Sequence, residues 1–283
     1  MTHAITGIDH CIVLVNDLDA ARERMQSLGF KPAPRGVHSD HMGSHNHCVM
    51  LERGYFEVLA IRIPTERNQR WRDVLARREG LAAIALQTSD ARAAQTFFHA
   101  NDVAASDIVD FARPVEFDGV VGEARFTTVT LPGEVAPVPM FLCQHHTPEF
   151  VWREEHLSHP NGVRGVLGLV LAVAEPHAHV PTLGRAFGSD RVNTQGEDVR
   201  VQTEAGFIDI TTHAGLMRRY PGESFAAMSD EPLLAALVLS AQAVGETARY
   251  LAEHDVQTTK SADGELCIPP AQACGALLEI RAG

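Results

Sequence analysis

The chain has 283 residues, 45% of them hydrophobic and 21% charged, with a formal net charge of −12. This composition excludes disorder and low complexity and leaves room for one large domain or two of medium size. The acidic balance, with no block of basic residues, argues against nucleic acid and anionic membrane as partners. No apolar run approaches the roughly 20 residues that span a bilayer.

The run 11–15 is too short, and too closely bracketed by Asp9, His10 and Asp17, to read as a secretion leader. The five cysteines are scattered and form no Cys-x-x-Cys pair, so a reducing cytoplasm is the expected compartment.

In chain order, the first strand reads Gly7-Ile8-Asp9-His10-Cys11-Ile12-Val13-Leu14-Val15 and ends at Asn16-Asp17, where a helix over 18–28 begins. Alternating or β-branched runs at 30–37, 46–51 and 55–62 follow, with Arg53-Gly54 read as a two-residue hairpin turn. The same text then recurs. An offset of 73 residues carries the strand to 81–90 and the helix to 91–100, with Asp90 in the place of Asp17.

Strands at 125–131 and 138–144 complete the second unit. An offset of 158 reaches a third strand at 165–175, with Glu175 in the Asp17 position and a helix closing near Gly188. Strands at 198–203 and 207–212 follow. A fourth unit runs from Leu234 through a helix at 243–253 to a strand at 276–281. Each unit has the order strand, helix, strand, strand, strand.

The spacing therefore predicts an α+β fold of four βαβββ modules, paired into two half-open mixed-sheet barrels. Residues 1–150 form the first domain, with modules one and two and the site; residues 160–283 form a largely structural second domain. The proline- and glycine-containing segment 147–162 connects them, with the boundary near residue 155.

This repeat, with His10 near the start of a first strand and Glu57 in a fourth, resembles the vicinal oxygen chelate superfamily. That superfamily includes glyoxalase I, extradiol dioxygenases and fosfomycin-resistance proteins. Gly7-Ile8-Asp9-His10, Ser44-His45-Asn46 and Tyr55-Phe56-Glu57 together resemble its glyoxalase-like domain. The resemblance covers the whole chain architecturally and is motif-specific over about residues 5–150.

It implies a divalent metal on the concave face of the barrel, holding two neighbouring substrate oxygens. Imidazole and carboxylate suit zinc, iron, manganese or nickel alike. The implied activity is that of a metal-dependent lyase or isomerase on a small oxygen-rich metabolite, with Glu57 as metal ligand and catalytic base. The rivals are a metal-free protein that sequesters a small molecule and a ring-cleaving extradiol dioxygenase. A homodimer formed through exposed sheet edges is the expected assembly.

The family's ligand pattern is incomplete here. The offsets place Ala83, Gly168 and Ala236 at the histidine position, and residues near Met140, Asp209 and Glu279 at the carboxylate position. Only module one keeps both groups. The missing ligands are sought among His38, His41, His45 and His47 and at the end of a strand, Gln144-His145-His146.

On the two-residue-turn register Glu57 lies opposite Met50 and Asn46 faces the cavity, whereas a turn longer by one residue would turn His45 and His47 inward. The expected metal set is His10, Glu57 and His145. Asn46, His45 and Trp152 are the expected substrate contacts. Asp209 and Glu279 read as structural acids or a degenerate site, and the isolated cysteines as core.

Overall fold

A computed structural model describes residues 4–117, 120–135, 137–225 and 231–283. The first half runs β1 (Gly7–Leu14), α1 (Leu18–Ser27), β2 (Gly36–Val37), β3 (Ser44–Met50), β4 (Tyr55–Ile61), α2 (Gln69–Leu75), β5 (Gly80–Gln87), α3 (Ala91–Ala100), β6 (Val109–Phe117), β7 (Val120–Leu131) and β8 (Met140–His145). The second runs β9 (Val163–Val173), α4 (Val180–Phe187), β10 (Val192–Gln195), β11 (Asp198–Gln202), β12 (Phe207–Thr212), α5 (His213–Arg219), β13 (Leu233–Ala241), α6 (Val244–Glu253), β14 (Thr259–Lys260), β15 (Leu266–Ile268) and β16 (Leu277–Ala282).

Each half is one eight-stranded mixed sheet, ordered β2-β3-β4-β1-β5-β8-β7-β6 and β10-β11-β12-β9-β13-β16-β15-β14. The two sheets have the same order, as four βαβββ modules paired into two half-open barrels require.

The repeat has a local cause. Asp17 accepts from the backbone of Asp19 and Ala20, and Asp90 accepts likewise from Arg92 and Ala93, so the same carboxylate caps α1 and α3. Leu18, Ala21 and Met25 then bury the inner face of α1. The third module departs from this: Glu175 makes no capping bond, and a 3-10 turn over Pro176–His179 precedes α4. Pro176 at the first position is compatible with a helix start, because the N–H it lacks is not one that a capping side chain accepts from. Two helices outside the repeat, α2 and α5, have no counterpart in the expected elements.

The hairpin register also differs from expectation. Leu51 N donates to Gly54 O, so the turn occupies four residues and Glu57 lies opposite Cys48 rather than Met50. The slip is two residues, one full side-chain period, and Asn46 therefore keeps the cavity face. The equivalent turn in module three closes with Thr203 N to Gly206 O.

These two turns clasp the halves together reciprocally. Val166 N donates to Arg53 O at 2.8 Å, and Ile8 N donates to Ala205 O at 3.0 Å. Gly54 (φ 70°) and Gly206 (φ 111°) occupy left-handed backbone beside the carbonyls of Asp9 and Leu167. A continuous apolar core, including Leu28, Phe56, Ile84, Leu169, Ile208 and Leu278, runs through both halves. The connector follows β8 as two 3-10 turns, Pro148–Phe150 and Glu154–His156. His159 ties its end down, with Nε2 donating to Met50 O at 2.7 Å and Nδ1 accepting from Lys31 N at 3.0 Å.

Candidate active site

Strand pairing brings the concave-face residues of the first sheet together. β1 runs parallel to β4, pairing His10 with Tyr55 and Ile12 with Glu57, and antiparallel to β5. A bulge between Ile8 and His10 removes Asp9 from the ladder and lets it and His10 meet side by side. The pairing of Ile12 with Glu57 is repeated by Ala85 with Phe141, so the module-two counterpart of Glu57 is Phe141 rather than Met140. Phe141 and Tyr55 both pack on the His10 ring, at 5.7 and 4.4 Å between centroids.

Asp9 organises the histidines. Its Oδ2 accepts from His10 Nδ1 at 2.6 Å and from His145 Nε2 at 3.0 Å. Burial by itself would raise the Asp9 carboxyl, but the hydrogen bonds and charge of the two histidines outweigh it and hold the pKa below the usual value. An ionised carboxylate only accepts, so His10 Nδ1 carries a proton, and in the neutral ring His10 Nε2 presents a lone pair.

That lone pair faces Glu57 Oε2 at 3.9 Å, and His38 Nε2 faces Glu57 Oε1 at 3.8 Å while its Nδ1 bonds Ser44 Oγ at 2.8 Å. Asn46 Nδ2 donates to Glu57 Oε1 at 2.5 Å. His10 Nε2 and His38 Nε2 thus face different oxygens of Glu57 beyond hydrogen-bond length. Imidazole and carboxylate are donor types that a divalent cation accepts, and Asp9 orients His10 from behind.

The remaining expected residues divide. His145 stands apart from Glu57: its Nε2 bonds Asp9, its Nδ1 is buried without a partner, and Cys143 Sγ lies 3.6 Å away. Among the described residues, Asp9, Cys143 and His145 are the group whose ligand atoms all lie within 4.8 Å of one another and could hold a metal ion. Cys143 is a neutral thiol there, since burial, helped by Asp9 and Glu57, pushes it well above its ordinary pKa.

His45 does not reach the site. It alternates with Asn46 onto the other face, where Arg35, Arg62 and Asp19 surround it, and this corrects the expectation that it touches substrate. His47 shares that face and bonds Ala33 O. Trp152 donates to Leu51 O at 3.2 Å and sets its ring edge against Tyr55 and His145.

Asp9 is passed over as a site member in the sequence, and His38 is named there only as one of several possible ligands. A bulge leaves no mark in the residue pattern, so nothing in the text singles out Asp9. For His38 the signal was its place in the histidine-rich stretch 38–47.

In the second sheet the equivalent positions are filled. Phe207 packs where a side chain at Gly168 would lie, 2.5 Å from a Cβ built there. Arg200 donates to both oxygens of Asp209 at 2.6 and 2.8 Å, and Arg219 bridges Asp209 and Glu279 at 2.8 and 3.2 Å. Tyr220 Oη and Arg281 also bond Glu279. Each carboxylate oxygen of Asp209 and Glu279 thus accepts from a guanidinium or a hydroxyl.

Comparison with known proteins agrees with this architecture. The sequence profile of the glyoxalase-like domain matches residues 8–196. No curated protein matches the chain. A hypothetical protein from Staphylococcus aureus is similar in structure with a TM-score of 0.69 and 13% identity, over 99% of this chain and 100% of that one. A mutant of 4-hydroxymandelate synthase from Streptomyces coelicolor is similar at a TM-score of 0.58 and 14% identity, over 91% and 77%.

A fusion of a xylose isomerase-like TIM barrel with a 4-hydroxyphenylpyruvate dioxygenase is similar at 0.58 and 15% identity, over 99% of this chain and 49% of that one. At these identities the neighbours speak for the fold. Members of this superfamily include metal-dependent isomerases and dioxygenases, and commonly bind a divalent metal. With two thirds of its length matched by the profile and both sheets in the repeated order, the chain belongs to the glyoxalase-like domain family of the vicinal oxygen chelate superfamily.

Proposed function

We propose that the protein is a metal-dependent lyase or isomerase acting on a small oxygen-bearing metabolite in the first barrel. The observation that supports this reading is the placing of His10 Nε2 and His38 Nε2 at 3.9 and 3.8 Å from the two oxygens of the buried Glu57, whose one hydrogen-bond donor among the described residues is Asn46. A buried carboxylate with so few donors is costly unless a cation joins it.

His10, His38 and Glu57 would hold the cation, which acts as a Lewis acid towards neighbouring substrate oxygens. The protein's own groups supply the rest. Asp9 fixes the His10 tautomer, so that in the neutral ring the lone pair is on Nε2. Asn46 holds one oxygen of Glu57 and leaves Oε2 to take a proton from a carbon beside a carbonyl. Tyr55 and Phe141 wall the His10 ring and keep water away, which strengthens each charge interaction at the site.

A second reading, ring cleavage by a dioxygenase, draws support from the same trio, because two histidines and one carboxylate are the usual ligands of non-haem iron. Metal analysis of protein purified without chelator tests both readings. About one divalent ion per chain, lost in His10→Ala, together with Glu57-dependent exchange of substrate C–H in deuterated water, is the expected result. Iron with oxygen consumption moves the assignment to the dioxygenase. Metal-free protein at full activity overturns both.

A further inference from the structure

The two halves border an open cavity of about 480 Å³ whose lining does not include His10, His38 or Glu57. It lies where the reciprocal turns meet, and much of its wall comes in equivalent pairs from the two halves: Ile8 with Val166, Asp9 with Leu167, Arg53 with Ala205. The pairs differ in chemistry. The first half supplies a carboxylate and a guanidinium where the second supplies leucine and alanine. The first half thus lines the more polar side, the second supplies Val166, Leu167 and Ala205 with Glu204 as its one charged group, and Trp152 adds an aromatic wall.

Charge pairing identifies what the polar side lacks. Glu52 is paired with Arg164 at 3.6 Å and Glu204 with Arg191 at 2.8 Å, while Asp9 is held by its two histidines. Arg53 makes no side-chain hydrogen bond or ion pair among the described residues. Its side chain lies along Gly165, where an added Cβ would sit 3.4 Å from both its Cβ and Nε. The cavity therefore has one uncommitted charge, a cation, beside an apolar wall. Its volume falls within the range of small-molecule sites.

The geometry points to a second ligand site between the halves, for a monocarboxylate with an apolar body. The carboxylate pairs with Arg53, and the body lies between Val166, Leu167 and Trp152. His10 and Glu57 do not line this cavity, because Asp9 stands between it and the His10 Nε2 face. The assignment thus goes beyond the reaction proposed above and stands without it.

The test uses phenylacetate and its uncharged isostere phenylacetamide. Binding is read from Trp152 fluorescence in a Trp71→Phe background, which leaves Trp152 as the single tryptophan of the two in the chain. Phenylacetate should bind about tenfold more tightly than the amide, as one charge-assisted hydrogen-bonded pair allows. Arg53→Gln should erase that preference. Because only the backbone of Arg53 takes part in the clasp, this variant keeps the fold.

Ala205→Trp should weaken both probes by narrowing the mouth. His10→Ala and Glu57→Gln should each bind phenylacetate within about twofold of the parent, and their metal content reports separately on the Glu57 site. Equal affinity for acid and amide, an unchanged preference in Arg53→Gln, or loss of binding in both His10→Ala and Glu57→Gln would overturn the assignment. So would the absence of saturable binding.

Discussion

Glu57 and Asp209 occupy the same place in two copies of one module, and their surroundings have made them opposites. Glu57 faces two imidazole nitrogens and receives a single amide hydrogen bond. Asp209 is clamped by the guanidiniums of Arg200 and Arg219, and Arg219 reaches on to Glu279, the carboxylate of the fourth module. Arg200 pairs with Asp209 across the sheet as Cys48 pairs with Glu57, so one substitution at an equivalent position replaces a small neutral group with a clamp. A module keeps a reactive acid only while its neighbours leave a lone pair uncommitted. The repeat itself does not decide this.

The comparison can be broken first at the clamp. Arg219→Met leaves two acids short of their shared cation, and urea denaturation should show a loss of about 3–5 kcal/mol, as removal of one partner from a buried ion network does. An equal loss in a Glu57→Gln variant would erase the distinction between the barrels. Glu57→Gln should instead cost little stability and lower kcat/KM by about 10²–10³-fold, the scale of losing one transition-state charge contact.

Asp9→Asn touches no substrate in this account. It should weaken metal affinity about 10- to 100-fold, the usual penalty for losing a group that orients a ligand. Titration with a competing chelator measures it.

The smallest effect is on pH dependence. Burial opposes ionisation of Asp209, but hydrogen bonds from Arg200 and Arg219 prevail and lower its pKa. A depressed folded pKa gives stability that is present above the unfolded value, about 3.9, and is lost as pH falls through the folded value. Wild type should therefore exceed Asp209→Asn in urea midpoint at pH 6, and the gap should close as pH falls below about 4. A gap that persists to pH 2 would show that the clamp does not depend on the Asp209 charge.

Much of this was legible in the text. Asp17 and Asp90 announced two helices and the period between two modules, because a carboxylate at a helix start has a local job that tertiary context rarely changes. The offsets placed Ala83, Gly168 and Ala236 opposite the absent histidines and Asp209 and Glu279 at the carboxylate positions, and the strand pairings agree. Asn46 kept its face through a register error because strand side chains repeat every two residues.

What the sequence did not show has one cause. His145 was chosen for its polar neighbourhood in sequence, but the carboxylate that joins it and Cys143 in a candidate metal group, Asp9, lies 136 residues away. His38 was one histidine in a cluster until β2 paired with β3 and set it beside Ser44 and Glu57.

The sequence by itself determined the module, its fourfold repetition and the one copy that retains both a histidine and a glutamate, since period and helix capping are local properties of the chain. Tertiary structure decided which acid is clamped by arginines, which histidines lie beside Glu57 and which beside Asp9, and that the two halves border an open cavity. Each of these depends on a bulge, a turn length or a pairing between distant strands, whose energies come from contacts that neighbouring residues do not specify.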